Sequence, residues 1–224
     1  MADEQREFWT KVARSYDRVV DLQIGPGARS MVRDRLAKEG RLGSVAEFGC
    51  GTGYYTEVLA SHSDRVVATD LSPGMLDLAR ERIRAGHVTF QIEDVQRTSF
   101  PDHAFDTVFM SLVIHFTEPE KTLCEVRRIL KPGGTLILSN LDPGALRGLD
   151  RVRSAIRIVY QGLTGYRLKP PKGLGAKILT ERQLTELLVK LGFRVLGSET
   201  LKDPSRSSNI PLEYVRAAAP AQAR

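Results

Sequence analysis

Glycines and acidic residues stand in this sequence at the spacing that a nucleotide-binding site requires. Glu47 and the loop Gly49-Cys50-Gly51-Thr52-Gly53 follow a short apolar run, and a helix-forming stretch comes next. Glycines there permit positive φ angles and let a ligand approach the backbone closely. The free N–H groups at the start of the following helix suit a polar or anionic ligand. The loop alone is weak evidence, because ordinary turns also use glycine.

Two aspartates follow the next two predicted strands and strengthen this interpretation. Asp70 comes about 20 residues after the first loop glycine, where a carboxylate can accept hydrogen bonds from both hydroxyls of a ribose. Asp94 ends the third strand, where it can read the amino group of an adenine. Either aspartate alone could be a helix cap or a turn residue. Acidic side chains at successive strand ends favour a ligand that contains adenosine.

Two cofactors compete for this loop. The dinucleotide fingerprint is G-x-G-x-x-G, whose helix terminus meets a pyrophosphate. Here Gly53 comes one residue early, and Tyr54 holds the position that the fingerprint reserves for glycine. S-adenosylmethionine (SAM) has no pyrophosphate, so this spacing favours SAM over a nicotinamide cofactor. A nicotinamide-dependent oxidoreductase stays open as the alternative.

The elements that must position these residues alternate along the chain. Short runs rich in Val, Ile and Phe alternate with amphipathic stretches, which is typical of parallel βαβ units. The predicted strands are residues 44–48, 65–70, 88–92, 105–114 and 135–139, followed by a hairpin pair at 193–201 and 211–217. The predicted helices are residues 54–61, 72–83, 149–163 and 180–191. A further helix is predicted to begin at a capping-box pattern of Thr117 with Glu120.

The composition bounds the class of protein. The chain has 224 residues, of which 42% are hydrophobic and 27% charged, as in ordinary globular proteins. We expect one domain over residues 1–224 and no transmembrane segment, because no apolar run approaches the roughly 20 residues that a span needs. The charged N-terminus is unlike a secretory signal, and Cys50 and Cys124 lack zinc-site or disulfide spacing, so we expect a cytoplasmic protein without a metal.

These motifs make the chain similar to the class I SAM-dependent methyltransferases. It resembles in particular the methyltransferase type 11-like group that includes the ubiquinone- and menaquinone-biosynthesis methyltransferases. The matching segments are residues 45–53, 70–76, 93–95, 105–108 and 130–134, and residues 8–17 are similar to the opening helix of that group. The resemblance implies an α/β, doubly wound, Rossmann-like sheet of seven strands with the last strand antiparallel.

The same resemblance implies roles for individual residues. Glu47 and the first two loop glycines would line the methionine part of SAM, and Asp70 would hold its ribose. Asp94 and Val95 would contact the adenine. Tyr16 would fold over the cofactor, although it equally fits a core position, since it shares one helical face with other apolar residues. The implied cofactor-binding residues are Tyr16, Glu47, Gly49, Cys50, Gly51, Gly53, Asp70, Leu71, Met75, Asp94, Val95, Ser111 and Leu112.

The segment 141–179 lies where such methyltransferases insert a lid that covers the substrate. It holds eight basic and two acidic residues, which accounts for the whole net charge of +6. Within it, Leu149, Val152, Ile156, Val159 and Leu163 form an apolar stripe at helical spacing. Three interpretations stay open: a helix packed on the domain, a lid for an anionic substrate, and a surface helix attracted to acidic lipids. The candidate acceptor contacts are Arg151, Arg153, Arg157 and Tyr160.

The acceptor is the least determined part of the predicted reaction. Ser111-Leu112-Val113-Ile114-His115 replaces the Asn-Pro-Pro-Tyr-like motif of enzymes that methylate amines of DNA bases. We expect a small molecule, anionic or amphipathic, with RNA or protein as the alternative acceptor and nucleic acid disfavoured. His115, at the end of the predicted fourth strand, is the candidate general base, because an unperturbed imidazole pKa near 6.5 suits that role.

Overall fold

The structure is a computed structural model that describes residues 2–163, 178–202 and 211–221. Within these residues the chain forms a sheet of seven strands covered by helices on both faces. The strands are β1 (Gly43–Phe48), β2 (Ser63–Asp70), β3 (Val88–Ile92), β4 (Phe105–Ser111), β5 (Leu130–Leu141), β6 (Arg194–Leu201) and β7 (Leu212–Ala218). The helices are α1 (Ala2–Val12), α2 (Tyr16–Ile24), α3 (Pro26–Leu36), α4 (Thr56–His62), α5 (Pro73–Arg82), α6 (Pro119–Ile129), α7 (Gly148–Leu163) and α8 (Glu181–Lys190).

The strand order is β3-β2-β1-β4-β5-β7-β6. The pairs β1–β2, β2–β3, β1–β4 and β4–β5 are parallel, whereas β7 is antiparallel to both of its neighbours. The predicted doubly wound, Rossmann-like sheet with an antiparallel last strand is therefore confirmed. Strand order reverses between β1 and β4, and ligands of open α/β sheets bind at such a reversal, beyond the carboxyl ends of the strands.

Alternating side chains of the central strands build a core on each face of the sheet. Phe109 of β4 packs in the cluster that α2, α3 and α4 cover, together with Tyr214 of β7. Its neighbour Met110 points the other way, into the cluster formed with α6 and α8. Both faces are apolar because helices bury both, as in parallel sheets generally. This packing fixes the strand ends that border the reversal point.

The predicted extension of the fourth strand to residue 114 is wrong. β4 ends at Ser111, and Leu112 adopts a positive φ of 59°. Its N–H still donates to the Ser139 carbonyl, at 2.9 Å, so the turn is fixed by β5 rather than by local sequence. A 3₁₀ turn, Ile114–Phe116, follows and buries His115. His115 therefore does not end a strand.

The predicted capping box of Thr117 with Glu120 is also wrong. The cap residue is Glu118, and Pro119 takes the first helical position. Proline suits that position and holds the preceding residue in an extended conformation, which moves the boundary by one residue. The Thr117 hydroxyl instead donates to the carbonyl of Ile114 and accepts from Thr122. Ser72 caps α5, as a serine followed by a proline predicts, and Thr180 caps α8 as a full capping box with Gln183, as the spacing of those two residues predicts.

The N-terminal residues form two helices rather than one. A 3₁₀ turn, Ala13–Ser15, separates α1 from α2, so the face that Tyr16 was expected to share with Phe8 and Val12 is interrupted. α1 instead packs against the start of α5. The hydroxyls of Thr10 and Ser72 lie 2.9 Å apart, and Ser72 also accepts from the Met75 N–H at 3.2 Å.

Replacing Ser72 by alanine is expected to lower the free energy of unfolding by about 1–2 kcal/mol, because one substitution removes a helix cap and the tie to α1. Urea unfolding of Ser72→Ala, Thr10→Val and the double variant measures the coupling between the two hydroxyls. Thr180→Ala, which removes the cap of α8, is the control and should show no coupling to Thr10→Val. An unfolding free energy for Ser72→Ala equal to wild type would contradict the prediction.

Candidate functional site

A cleft opens at the carboxyl ends of β1, β2 and β4, beside the point where strand order reverses. Including the open solvent at its mouth, the cleft encloses an empty volume of about 670 Å³. The described residues that line it are Gln5, Trp9, Tyr16, Gly49, Gly51, Asp70, Leu71, Met75, Glu93, Asp94, Val95, Gln96, Ser111, Leu112, Val113, Phe116 and Thr117.

The loop between β1 and α4 forms one wall of this cleft. Gly49 and Gly51 have φ angles of 65° and 55°, which residues with a side chain rarely adopt. A Cβ at Gly49 would lie 2.4 Å from Cγ2 of Val113, and a Cβ at Gly51 would lie 3.5 Å from the ring of Tyr16. The loop therefore requires glycine at both positions, and the missing side chains leave backbone facing the cleft.

Asp70 joins the glycine loop to the start of α5. Its Oδ2 accepts from the Gly51 N–H and its Oδ1 from the Ser72 N–H, both at 2.9 Å. Burial raises the pKa of Asp70 to about 6, although these N–H groups stabilise the carboxylate and oppose the shift. At neutral pH the group is an oriented anion with oxygens left to accept from a ligand.

Buried polar side chains lie behind the glycine loop. Glu47 is 1% exposed; its Oε2 accepts from Thr56 at 2.7 Å, whereas its Oε1 has no hydrogen bond. Burial, with a smaller effect of the nearby Asp70, raises the pKa of Glu47 to about 8, so it is protonated at neutral pH. The hydroxyls of Ser111 and Tyr55 lie close together without a hydrogen bond of ordinary geometry. Of these groups, Ser111 reaches the cleft.

The N-terminal helices cover one side of the cleft with Gln5, Trp9 and Tyr16. Of these three residues, only Tyr16 was predicted from the sequence. The ring of Trp9 lies 5.0 Å from that of Phe116 and 6.1 Å from that of Tyr16, both edge to face. The Gln5 amide donates to the Phe116 carbonyl at 3.2 Å. These contacts join α1 to the turn after β4, more than 100 residues away. Among the sequence features, only the resemblance of residues 8–17 to the opening helix of the methyltransferases indicated that this segment contributes to the site.

Asp17 ties these helices to the glycine loop. Its carboxylate accepts from Thr52 Oγ1, Arg29 Nη1 and Arg82 Nη2, all within 3.0 Å. Burial acts to raise the pKa of Asp17, but the hydrogen bonds from Arg82 and Arg29 outweigh it and lower the pKa. Because Asp17 follows Tyr16, this network holds Tyr16 over the cleft.

Most residues named from the sequence border the cleft. The predicted residues that line it are Tyr16, Gly49, Gly51, Asp70, Leu71, Met75, Asp94, Val95, Ser111 and Leu112. Glu47, Cys50 and Gly53 do not: the first two are buried behind the loop, and a Cβ at Gly53 would lie 3.3 Å from Ala79 of α5. Gly53 thus serves close helix packing. A direct role of these three residues in cofactor binding stays a prediction.

His115 is 5% exposed and is not among the residues that line the cleft. Its Nδ1 lies 3.0 Å from the Oδ1 of Asn140, so the imidazole is oriented by an amide of β5. Burial lowers the pKa of His115 to about 4, against the smaller opposing effect of Asn140. The imidazole is therefore neutral at physiological pH.

The predicted acceptor contacts are described only in part. Arg153 has a side chain that is 63% exposed and lies 3.9 Å from Asp150. The side chains of Arg151, Arg157 and Tyr160 lie outside the described ones, as do residues 164–177 of the predicted lid. Their roles stay predictions.

The described residues show neither a metal-binding cluster nor a membrane-spanning helix. They hold no group of three or more His, Cys, Asp or Glu side chains that could bind a metal ion. Among the helices of the same residues, none combines the length and the apolar character that crossing a bilayer demands.

Comparison with known proteins finds similarity to methyltransferases. A family model described as a methyltransferase domain matches residues 46–138. A malonyl-[acyl-carrier protein] O-methyltransferase of Serratia marcescens is 34% identical over 142 residues, 63% of this chain and 54% of that protein. A demethylmenaquinone methyltransferase of Clavibacter sepedonicus is 34% identical over 118 residues, 50% of this chain and 48% of that protein. The chain spans about half the length of these two relatives.

A solved structure agrees in fold. The SAM-dependent methyltransferase from Mesorhizobium loti superposes with a TM-score of 0.65, covering 87% of this chain and 99% of that one. The two sequences are 20% identical, so this likeness supports the architecture alone.

Exchanging Glu47 for glutamine should remove a pH dependence of stability. The unfolded carboxyl ionises near its ordinary pKa of 4.5, whereas the folded one keeps its proton to about 8. The folded state thus binds more protons between these values, and stability falls as pH rises through them. Relative to wild type, Glu47→Gln should gain stability from pH 4.5 to pH 8, by several kcal/mol at about 1.4 kcal/mol per pKa unit.

Urea unfolding across this pH range provides the measurement. Glu125→Gln is the control of opposite sign, because Glu125 has a pKa lowered by its bonds to Arg128 and Thr98 despite partial burial. Glu125 stabilises the folded state above its unfolded pKa and loses that effect as pH falls. A pH profile of Glu47→Gln parallel to wild type would show that Glu47 is ionised in the folded protein.

Proposed function

We propose that this chain, which is similar to the class I SAM-dependent methyltransferases, is one of them, binds SAM in the cleft and transfers its methyl group to a small-molecule acceptor. The charge of the cleft carries the proposal. Its described lining includes the carboxylates of Asp70, Glu93 and Asp94 and no Lys, Arg or His. Such a lining attracts a sulfonium cation and disfavours the two negative charges of a pyrophosphate. The same observation argues against a nicotinamide cofactor.

The residues present fit the parts of SAM. The φ angles of Gly49 and Gly51 and the missing Cβ atoms expose backbone along the wall where the methionine part would lie. Asp70, already fixed by two N–H donors, would accept from the ribose hydroxyls. Asp94 is oriented by the Gln96 N–H at 2.9 Å and would accept from the adenine amino group. The unbonded hydroxyl of Ser111 would find a partner at the methionine end.

SAM supplies the activated methyl group, and the protein supplies alignment and shielding from water. Trp9, Tyr16 and Phe116 form an aromatic rim at the cleft, which would exclude water and stabilise a cation that lies over the face of a ring. The Asp17 network holds this rim to the glycine loop. After transfer the cofactor loses its positive charge, so the acidic lining would hold the product less firmly than the substrate.

The acceptor we propose is anionic or amphipathic. The relatives reported above are named for a malonyl-[acyl-carrier protein] and for demethylmenaquinone. A malonyl group carries a carboxylate and a menaquinone is a lipid, so the two names agree with these two chemical properties. The basic segment 141–179 would accommodate an acidic acceptor. RNA or protein as acceptor stays the alternative.

Calorimetry with SAM, S-adenosylhomocysteine and NAD tests the cofactor assignment. We expect binding of the first two, with SAM preferred, and none of NAD. Transfer of labelled methyl groups from SAM into a metabolite extract, a malonyl-acyl carrier protein and a demethylmenaquinone then tests the acceptor. NAD binding tighter than SAM binding would overturn the proposal.

Replacing Asp70 by asparagine should weaken SAM binding by about 1–3 kcal/mol, the usual effect of losing hydrogen bonds to a charged group. Wild-type affinity should increase as pH rises through about 6, where Asp70 ionises, and level off above it. The Asn variant should lack this dependence. Asp64→Asn, which changes an exposed carboxylate paired with Arg41, is the control and should bind SAM normally. If Asp70→Asn binds SAM with the wild-type affinity, the assignment of Asp70 to the ribose site is wrong.

His115 is proposed as the proton acceptor for the nucleophile. A buried neutral imidazole held by Asn140 has the required protonation state at pH 7. The pKa of about 4 makes His115 a weak base, so His115→Ala should reduce turnover at saturating SAM by no more than about 10²-fold, the lower end of general-base effects, while leaving SAM affinity unchanged. Because its pKa is about 4, His115 is neutral between about pH 6 and pH 9, and its titration should not change the turnover rate over that range. If the variant turns over like wild type, His115 is a structural residue and positioning alone suffices.

A further inference from the structure

Helix α7 turns its apolar side away from the protein. Leu149, Val152 and Ile156 are 72%, 55% and 65% exposed, whereas Ser154 is 2% exposed. At about 100° per residue, Ser154 lies on the opposite side of the helix from the other three. α7 therefore buries a small polar side chain on one side and presents an apolar stripe, Leu149, Val152 and Ile156, to solvent on the other. This arrangement is the inverse of an ordinary surface helix and costs free energy unless something covers the stripe.

The charge around the stripe indicates what covers it. Segment 141–179 carries eight basic residues and two acidic ones in the sequence, and Arg147 and Arg153 are the basic residues whose side chains the structure describes. Both are exposed: Arg153 lies about 70° around α7 from the centre of the stripe, and Arg147 directly precedes the helix. Of the two acidic residues, Asp142 is buried and Asp150 contacts Lys202 at 3.1 Å. The surface is thus apolar in its centre and basic at its edge.

We propose that the α7 stripe docks on the surface of an anionic lipid bilayer. An amphipathic helix with arginines beside an apolar face lies in the headgroup region of such a membrane, with its apolar side chains inserted between lipids. The apolar stripe of α7 projects outwards, so it does not require a partner with a groove. A bilayer is such a partner, because its surface has no groove. α7 follows the carboxyl end of β5, at the edge of the sheet where the cleft opens. The proposal concerns a surface outside the cleft and does not depend on the proposed methyl transfer.

Flotation of the full chain with lipid vesicles tests the proposal. The probes are vesicles of phosphatidylcholine alone and of phosphatidylcholine with about 30% phosphatidylglycerol. We expect binding to the anionic vesicles, at least tenfold weaker binding to the neutral ones, and a loss of binding as salt rises from about 0.1 M to about 0.5 M.

Two pairs of matched variants separate the apolar from the basic contribution. Val152→Gln with Ile156→Gln should reduce vesicle binding about tenfold or more, whereas Val189→Gln with Leu196→Gln, exposed apolar residues elsewhere, should not. Arg147→Gln with Arg153→Gln should reduce it about fivefold for each arginine, whereas Arg14→Gln with Arg84→Gln, exposed on the rest of the domain, should have little effect. SAM affinity measured on each variant reports folding of the cleft separately.

Three results would overturn the proposal. The first is a wild-type chain that stays unbound with anionic vesicles at low salt. The second is equal loss of binding in the α7 variants and their controls. The third is evidence that the stripe binds another partner. In that case Val152→Gln with Ile156→Gln would abolish self-association, or binding of an acidic carrier protein, and leave vesicle binding unaffected. Failure of SAM binding with vesicle binding intact would instead count against the proposed function alone.

Discussion

The carboxylate of Asp70 is the interaction on which the geometry of the cleft depends. By accepting from the N–H groups of Gly51 and Ser72, it fixes the glycine loop and the start of α5 relative to one strand end. Ser72 in turn caps α5 and meets Thr10 of α1. The side chains of Asp70 and Ser72 together thus connect the glycine loop, α5 and α1. Its replacement is expected to act on the shape of the cleft as well as on contacts with a ligand.

Burying an acidic group costs free energy, and the fold offsets this cost differently for Asp70 and for Glu47. Asp70 stays ionised at neutral pH because two backbone N–H groups oppose its desolvation. Glu47 has one hydroxyl partner and an unbonded oxygen, so its pKa rises to about 8 and it keeps its proton. Neutralising Glu47 avoids a second buried charge beside Asp70. The neighbouring acidic groups can therefore coexist, with a single negative charge at the strand end.

The sequence predicted the features that depend on local chemistry. Serine before proline predicted the cap at Ser72, and the alternation of apolar and amphipathic runs predicted the parallel sheet and its hairpin. Features that depend on distant contacts were not predicted. Leu112 ends β4 because β5 accepts its N–H, although the apolar run continues. Trp9 reaches the cleft by packing on Phe116, which no local pattern encodes. The period of the α7 stripe predicted a helix but could not show which side faces the domain.

The charge of the cleft acts on both partners of the proposed reaction. Its described lining is acidic, whereas the whole formal net charge of +6 falls in the sequence segment 141–179. The acidic lining would attract a cationic cofactor and repel an anionic acceptor. Both must nevertheless reach the same cleft for methyl transfer, and the positive charge of bound SAM would offset part of that repulsion. An anionic acceptor would therefore approach more readily once SAM is bound, whereas S-adenosylhomocysteine, which lacks the sulfonium charge, would not offset the repulsion in the same way.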